Sequence, residues 1–235
     1  MDPSRVRPAD ALAELGRIRL AEVELDKVLH RVAELANQSI PGCAYVSVTL
    51  THAGTARTAA ATAELARELD EWQYRYDQGP CLDASASAES LLVPDMAGEQ
   101  RWAGWVARAR AAGVGSSLSI GLPIQEAVTG ALNLYGVAAH AFDAEAIAVA
   151  EDFAAYAAVA LANAHLYDST ATLARQMRDA MRSRAVIEQA KGIIMGQRRC
   201  SPDEAFAVLA KLSQDSNRKV RDVAEAMVAA VDTDR

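Results

Sequence analysis

Between Asp10 and Asn37 the apolar residues Leu15, Ile18, Leu25, Leu29, Val32 and Ala36 recur three and four positions apart, the spacing of one helix face. Only Glu22 interrupts the stripe, so the pattern predicts one long helix that stops near Asn37, ahead of Pro41-Gly42. The period then changes. Ala44 to Thr51 is a run of β-formers, Arg57 to Thr62 is a second, and His52-Ala53-Gly54-Thr55 between them predicts a hairpin. Helical spacing returns from Ala63 to Tyr76 and is broken by Gln78-Gly79-Pro80, ahead of a short segment holding Cys81-Leu82-Asp83-Ala84. Ser90 to Asp95 reads as a strand closed by Pro94, Arg101 to Ala112 as a helix ended by Gly113, and Ser116 to Gln125 and Gly130 to Ala138 as two further strands. About five strands with helices before, between and after them define an α+β fold, a mostly antiparallel sheet with flanking helices.

From Asp143 or a neighbour, a helix continues without Pro or Gly as far as Gly192. Val159, Leu166, Leu173, Ala180 and Ile187 fall seven apart, and Asn163, Thr170, Met177 and Arg184 take the complementary positions. This is a coiled-coil-like seam diluted by polar residues. Up to Ala164, an amphipathic helix lying on its own domain explains the pattern. From Tyr167 to Ile187 no domain remains for the helix to cover, which favours self-association into a homodimer. Gly196 and the polar residues up to Cys200 predict a turn. Ser201-Pro202-Asp203-Glu204 then has serine at the N-cap, proline at the first helical position and glutamate three residues on, the pattern of a capping box. Ala205, Phe206, Val208, Leu209 and Leu212 are the expected buried face of that helix. Asn217 or a nearby polar residue is expected to start a third, packing inward through Val220, Val223, Ala224, Met227 and Val228.

The 235 residues are 51% hydrophobic and 23% charged, the composition of a globular protein with room for one large domain or two ordinary ones. No apolar run has the length of a membrane span and the start lacks the form of a secretory signal, so a cytoplasmic protein is expected. Cys43, Cys81 and Cys200 form no CxxC pair and the four histidines are scattered, so neither a metal site nor a disulfide framework is expected. The net charge of -7 is uneven. Residues 1 to 174 carry 12 Lys and Arg against 22 Asp and Glu, whereas 175 to 235 carry 12 against 9. That change of sign, from -10 to +3, marks two modules with different partners.

The order helix, two strands, Gly79-Pro80-Cys81-Leu82-Asp83-Ala84, strand, Arg101-Trp102, helix, then Ser116 to Ile124 with its Leu122-Pro123-Ile124 ending, resembles a GAF domain over about Asp10 to Leu166. The resemblance implies a sensor of a small molecule or chromophore, built on a central antiparallel sheet and often dimeric through its first and last helices. Trp72 and Tyr76 are candidate pocket residues, with a core face as the competing reading. Cys81 is a candidate thiol for a chromophore or for oxidation, but acidic Asp77 and Asp83 flank it, and packing is the competing reading. No cofactor is expected beyond an unidentified small molecule or signalling protein acting on this domain.

Gln189-Ala190-Lys191-Gly192-Ile193-Ile194-Met195, followed by Ser201, Ala205-Phe206, Leu209, Ser213, Asn217-Arg218-Lys219 and Val223-Ala224, resembles the ANTAR domain, the RNA-binding module of antitermination regulators of the AmiR and NasR type. The resemblance spans about Met181 to Val231. It implies binding to tandem RNA stem-loops in nascent messenger RNA, whose formation prevents a competing terminator. Carried over by position, Gln189, Ala190, Lys191 and Gly192 form the contact core, Arg184 and Arg198 flank it, and Ser213, Asn217, Arg218 and Lys219 come from the turn and third helix. One departure is visible: Ala210 stands where the family has a basic residue, with Lys211 next to it. Phe206 has core spacing, so hydrogen bonds and phosphate charge are the expected contacts rather than base stacking.

The expected organisation is a GAF-like sensor domain at 10–166, a helical coiled-coil linker at 167–180 and a three-helix ANTAR-like RNA-binding domain at 181–231. The alternative is a DNA-binding regulator carrying a GAF sensor, because three small helices also suit a helix-turn-helix. An enzyme is not expected: the sequence offers no paired carboxylates at metal-ligand spacing, no phosphate-cradling glycine loop and no nucleophile with a base.

Overall fold

The computed structural model describes residues 6–18, 24–125 and 128–233. Two compact units divide the chain, Met1–Asp168 and Ser169–Arg235. In the first, β1 (Tyr45–His52), β2 (Thr55–Ala61), β3 (Ser90–Val93), β4 (Ser116–Gln125) and β5 (Val128–Gly136) form a sheet in the order β2-β1-β5-β4-β3. Every adjacent pair is antiparallel. The β1–β2 hairpin turns through Ala53 and Gly54, both at positive φ (49° and 77°), the backbone of a type I′ turn.

Successive side chains of a strand point to opposite faces. Val46, Val48, Leu118, Ile120, Leu122, Leu132 and Leu134 therefore share an apolar face, while Ser47, Thr49, Ser117, Ser119, Asn133 and Tyr135 share the other. α2 (Leu25–Ser39) and the opening turns of α6 (Ala144–Arg198) cover the apolar face, and α1 (Pro8–Leu15) packs against α2 and joins the same core. Asp143 caps α6 by accepting the Ala146 amide at 2.8 Å. The contribution of α6 to the core is Ala146, Ala150, Phe153, Ala157, Leu161 and Ala164, mostly small residues that let the helix lie close to the strands. α3 (Glu64–Tyr76), α4 (Pro80–Ser87) and α5 (Ala103–Ala111) belong to the other side, where Leu69, Trp105 and Val106 pack with Tyr135, and Cys81 and Ala84 with Ala131.

The N-terminal apolar stripe is not one helix. α1 ends at Leu15, Gly16 follows, and α2 begins at Leu25. Leu15 and Leu29 still join one core, because the spacing of apolar residues records which face is buried and not whether the backbone continues through a turn. Glu22 lies outside the described residues. The segment after Gly79 is a helix, α4, with Pro80 at its first position.

The second unit packs the C-terminal part of α6 with α7 (Pro202–Ser216) and α8 (Val220–Thr233). Its buried centre is Ala190, Ile194, Ala205, Leu209 and Ala224, ringed by half-buried Val186, Ile187, Val208, Val220, Val223 and Met227. Three alanines among five residues bring the helices close together. Here the structure corrects the sequence reading in three places. α6 does not turn at Gly196 but continues to Arg198. Phe206 and Leu212 are not buried; they are 46% and 41% exposed. Phe206 follows Ala205 by the roughly 100° of one helical residue, and a core this narrow leaves it outside. Asn217 does not start α8: at φ 49° it is the left-handed cap that ends α7, and the nearby polar residue that starts α8 is Lys219, whose carbonyl accepts the Asp222 and Val223 amides.

The capping box at Ser201 is formed as expected. Its hydroxyl accepts the Glu204 amide at 3.3 Å, and the Glu204 carboxylate accepts the Ser201 amide at 2.8 Å. Ser201→Ala should weaken the first turn of α7 by about 1 kcal/mol, seen as faster amide hydrogen exchange in that turn. Unchanged protection there would show that Pro202 and the core hold the helix start without the cap.

Candidate nucleic-acid interface and sensor interior

Of the ten sequence-selected positions of the C-terminal unit, Arg184, Gln189, Gly192, Arg198, Asn217, Arg218 and Lys219 are exposed. Ala190 is wholly buried, so its small side chain brings α6 against the other two helices rather than meeting solvent. One turn of helix places Gln189, Gly192 and Gly196 on the outward side of α6, opposite Ala190 and Ile194. A Cβ built on Gly192 or on Gly196 meets nothing within 4 Å. Neither glycine is there to relieve crowding inside the chain, although each costs a helix interior about 1 kcal/mol relative to alanine.

Lys191 lies at the edge of this face with its side chain only 16% exposed, and its Nζ donates to Oε1 and Oε2 of Glu188 at 2.9 and 3.0 Å. Glu188 is a residue the sequence reading did not select. Its spacing of three from Lys191 on a helix was the available signal. At the other end of α7, the Ser213 hydroxyl donates to the Arg218 carbonyl and the Arg218 amide donates back to the Ser213 carbonyl at 3.1 Å. Ser213 and Asn217 thus fix the turn, while the Arg218 guanidinium reaches the Asp222 carbonyl at 3.1 Å.

The polar face of the sheet holds a second cluster. Asp70 of α3 is fully buried and accepts from Tyr135 Oη at 2.6 Å, Thr58 Oγ1 at 3.0 Å and Asn133 Nδ2 at 3.4 Å. Tyr74 Oη bridges Thr49 and Thr58 at 2.9 and 3.0 Å, and Asn133 Nδ2 also reaches Thr49 at 2.9 Å. Burial pushes the Asp70 carboxyl up to about 6, against the opposing hydrogen bonds from Tyr135 and Thr58. Asn133 Oδ1 and Ser117 Oγ, both buried, find no hydrogen-bond partner among the described residues.

Cys81 is fully buried beside Ala84 and Ala131, and burial, reinforced by Asp70, pushes its thiol well up, away from the reactive thiolate. Trp72 and Tyr76 instead stack on each other at 4.3 Å between ring centroids, with Tyr76 52% exposed. Cys81 and Trp72 belong to separate apolar clusters. Two open grooves lie elsewhere, on either side of the exposed face of α6. One, of about 410 Å³, is lined by Leu15, Ile18, Tyr156, Val159 and Asn163; the other, of about 630 Å³, by Ile120, Pro123, Ala158, Val159 and Asn163. Among the described residues no group of three or more His, Cys, Asp and Glu is placed to hold a metal ion, and no helix is long and apolar enough to cross a membrane.

The first unit is thus an antiparallel sheet with a polar, helix-covered interior, and the second a helical module with exposed basic residues. The family model of the GAF domain matches residues 22–162, more than half of the chain, and the chain belongs to that family. The ANTAR domain model matches residues 175–228. The chain thus carries a GAF domain, a kind of sensor domain, followed by a match to the ANTAR domain, known as an RNA-binding antitermination module. No curated protein matches the chain.

Among solved structures, the phycoerythrobilin-bound GAF domain of a cyanobacterial phytochrome is 16% identical, with 68% of this chain and 97% of that one covered, at a TM-score of 0.51. The free methionine-R-sulfoxide reductase of Neisseria meningitidis is 13% identical, covering 68% and 90%, at 0.50. The chromophore-binding domain of the bacteriophytochrome of R. palustris is 10% identical, covering 68% and 60%, at 0.50. At these identities the likeness is one of fold alone.

Because folding raises the Asp70 pKa from 3.8 to about 6, the interior favours the protonated carboxyl. The stability it lends is full below about pH 4 and is lost as the pH rises through 6. Relative to an Asp70→Asn variant, the parent should lose on the order of 3 kcal/mol between those limits. Urea unfolding followed by the fluorescence of Trp72, Trp102 and Trp105 checks this, and parallel pH profiles would exclude it.

Proposed function

We propose that the protein is a signal-responsive RNA-binding regulator of the cytoplasm that binds tandem stem-loops in nascent messenger RNA and prevents transcription termination. The observation that carries this reading is the pair of open glycines beside Lys191. A residue that costs helix stability and serves no packing need within the chain fits a face that another backbone must approach closely, and a basic module fits a polyanion. In this reading Arg184, Gln189, Lys191, Gly192, Arg198, Arg218 and Lys219 meet the RNA. Ala190, Ser213 and Asn217 hold the shape that presents them. Phe206, exposed on the α7 flank that also carries Ser213, adds an aromatic surface on which an unpaired base can stack. Residues 10–166 serve as the sensor domain, 167–180 as the helical linker and 181–231 as the RNA-binding domain.

Gly192→Ala should leave the fold as stable or raise its stability by up to about 1 kcal/mol, while weakening binding to a two-hairpin RNA by at least about tenfold, as should Lys191→Ala by removal of a hydrogen-bond donor from that face. Fluorescence anisotropy at moderate salt reads both. Binding by Gly192→Ala as tight as the parent's would remove the close-approach argument.

The reading includes a homodimer. Val159, Leu166, Leu173 and Met177 on α6 are all more than half exposed, and with Asn163 and Thr170 they keep the seven-residue spacing of a helix that meets a second copy of itself. Two RNA-binding units in one particle would gain affinity for two linked hairpins through effective concentration. Light scattering should find the parent dimeric and a Leu166→Asp, Leu173→Asp chain monomeric, with a hundredfold-order loss of the advantage of two hairpins over one. A monomeric parent that keeps the two-hairpin advantage would remove the dimer from the reading.

A further inference from the structure

The ion pair on α6 has a property that a simple phosphate contact lacks. Lys191 is the residue beside the open Gly192, yet its ammonium already donates to both carboxylate oxygens of Glu188, at 2.9 and 3.0 Å. Its stem is largely covered, so the pair is held in one place rather than waving in solvent, and the Glu188 side chain remains 57% exposed. Gly192, the next residue after Lys191, leaves the approach open. The pair therefore presents an anionic acceptor and a cationic donor side by side with no net charge.

A backbone phosphate gains little from such a pair. It offers only acceptors, it is repelled by the carboxylate, and to use the ammonium fully it must displace Glu188. An unpaired base differs, because its edge carries donors and acceptors together and can satisfy carboxylate and ammonium at once. We infer that Glu188 is a specificity-determining residue of the RNA-binding face: it withholds Lys191 from bulk phosphate and, with Lys191, reads the edge of an unpaired loop base.

This inference rests on the RNA-binding reading above and adds a residue and a mode of contact to it. The consequence is a trade between charge and sequence. With Glu188 in place, the Lys191 contact contributes little to the salt dependence of binding and much to discrimination among loops. Without it, Lys191 becomes an ordinary counter-charge.

The test uses the full-length chain and its E188Q variant with hairpin RNAs that share one stem and differ only in loop sequence. Glu188 is exposed, so E188Q should keep the parent's thermal melting curve. Plots of log K against log salt should steepen by about one unit in E188Q, as Lys191 takes up a phosphate. At the same time the ratio of affinities between the tightest and the average loop should fall by about tenfold, the order of one lost base contact. The E188D variant separates charge from pairing: it keeps the negative charge but is too short to reach Lys191 in the same geometry, and it should lose discrimination as E188Q does. A parent and an E188Q chain that agree in slope and in discrimination would overturn this inference and leave the RNA-binding reading intact. So would a uniform loss of affinity for every loop in E188Q, the mark of a residue that only positions Lys191. A parent that binds none of the hairpins would overturn the RNA-binding reading, and this inference with it.

Discussion

The architecture of the first unit depends on the inability of its strands to exchange faces. A shift of one residue in pairing would send Val48, Leu118, Leu132 and Leu134 to the polar side and bring Ser47, Ser119 and Asn133 under α2 and α6. Neither set could be accommodated, so the register is held at both faces at once. The apolar face recruits the helices, and the small residues of α6 follow from how near that helix must lie. The polar face needs partners of its own, which is why Asp70, Tyr74 and Tyr135 form one network instead of an oily layer.

A buried network of this kind makes the interior selective about protonation and hydration. Asp70 is held by three donors and still sits well above an ordinary carboxylate, because loss of water outweighs them. Asn133 Oδ1 and Ser117 Oγ complete the picture of an interior with unused hydrogen-bonding capacity under α3 and α4. On that side of the sheet Cys81 is a packed, protonated thiol rather than a reactive one.

The C-terminal unit solves a different problem. Three short helical segments bury little surface, and alanines at the centre let them share what there is. The same narrowness turns Phe206 and Leu212 outward and commits Ser213 and Asn217 to closing the turn into α8. Exposed basic residues, open glycines and a fixed ion pair then occupy the surface that the core does not need.

Local chemistry was legible from the residues alone. The hairpin at Ala53-Gly54, the strands, the capping box at Ser201 and the long helix after Asp143 all follow from spacing and from residue types with few backbone options, and those signals act within a few positions of one another. The GAF and ANTAR patterns were readable for the same reason. Other features were decided by packing between distant segments. Periodicity could not tell one N-terminal helix from two, since both bury Leu15 and Leu29 in one core. It could not tell that Phe206 lies outside a core of alanines, that a conformationally permissive Asn217 ends a helix instead of starting one, or that Asp70 meets Tyr135 sixty-five residues away. Sequence spacing specifies which side of an element faces inward; only the assembled structure decides what that side meets and how much room is left.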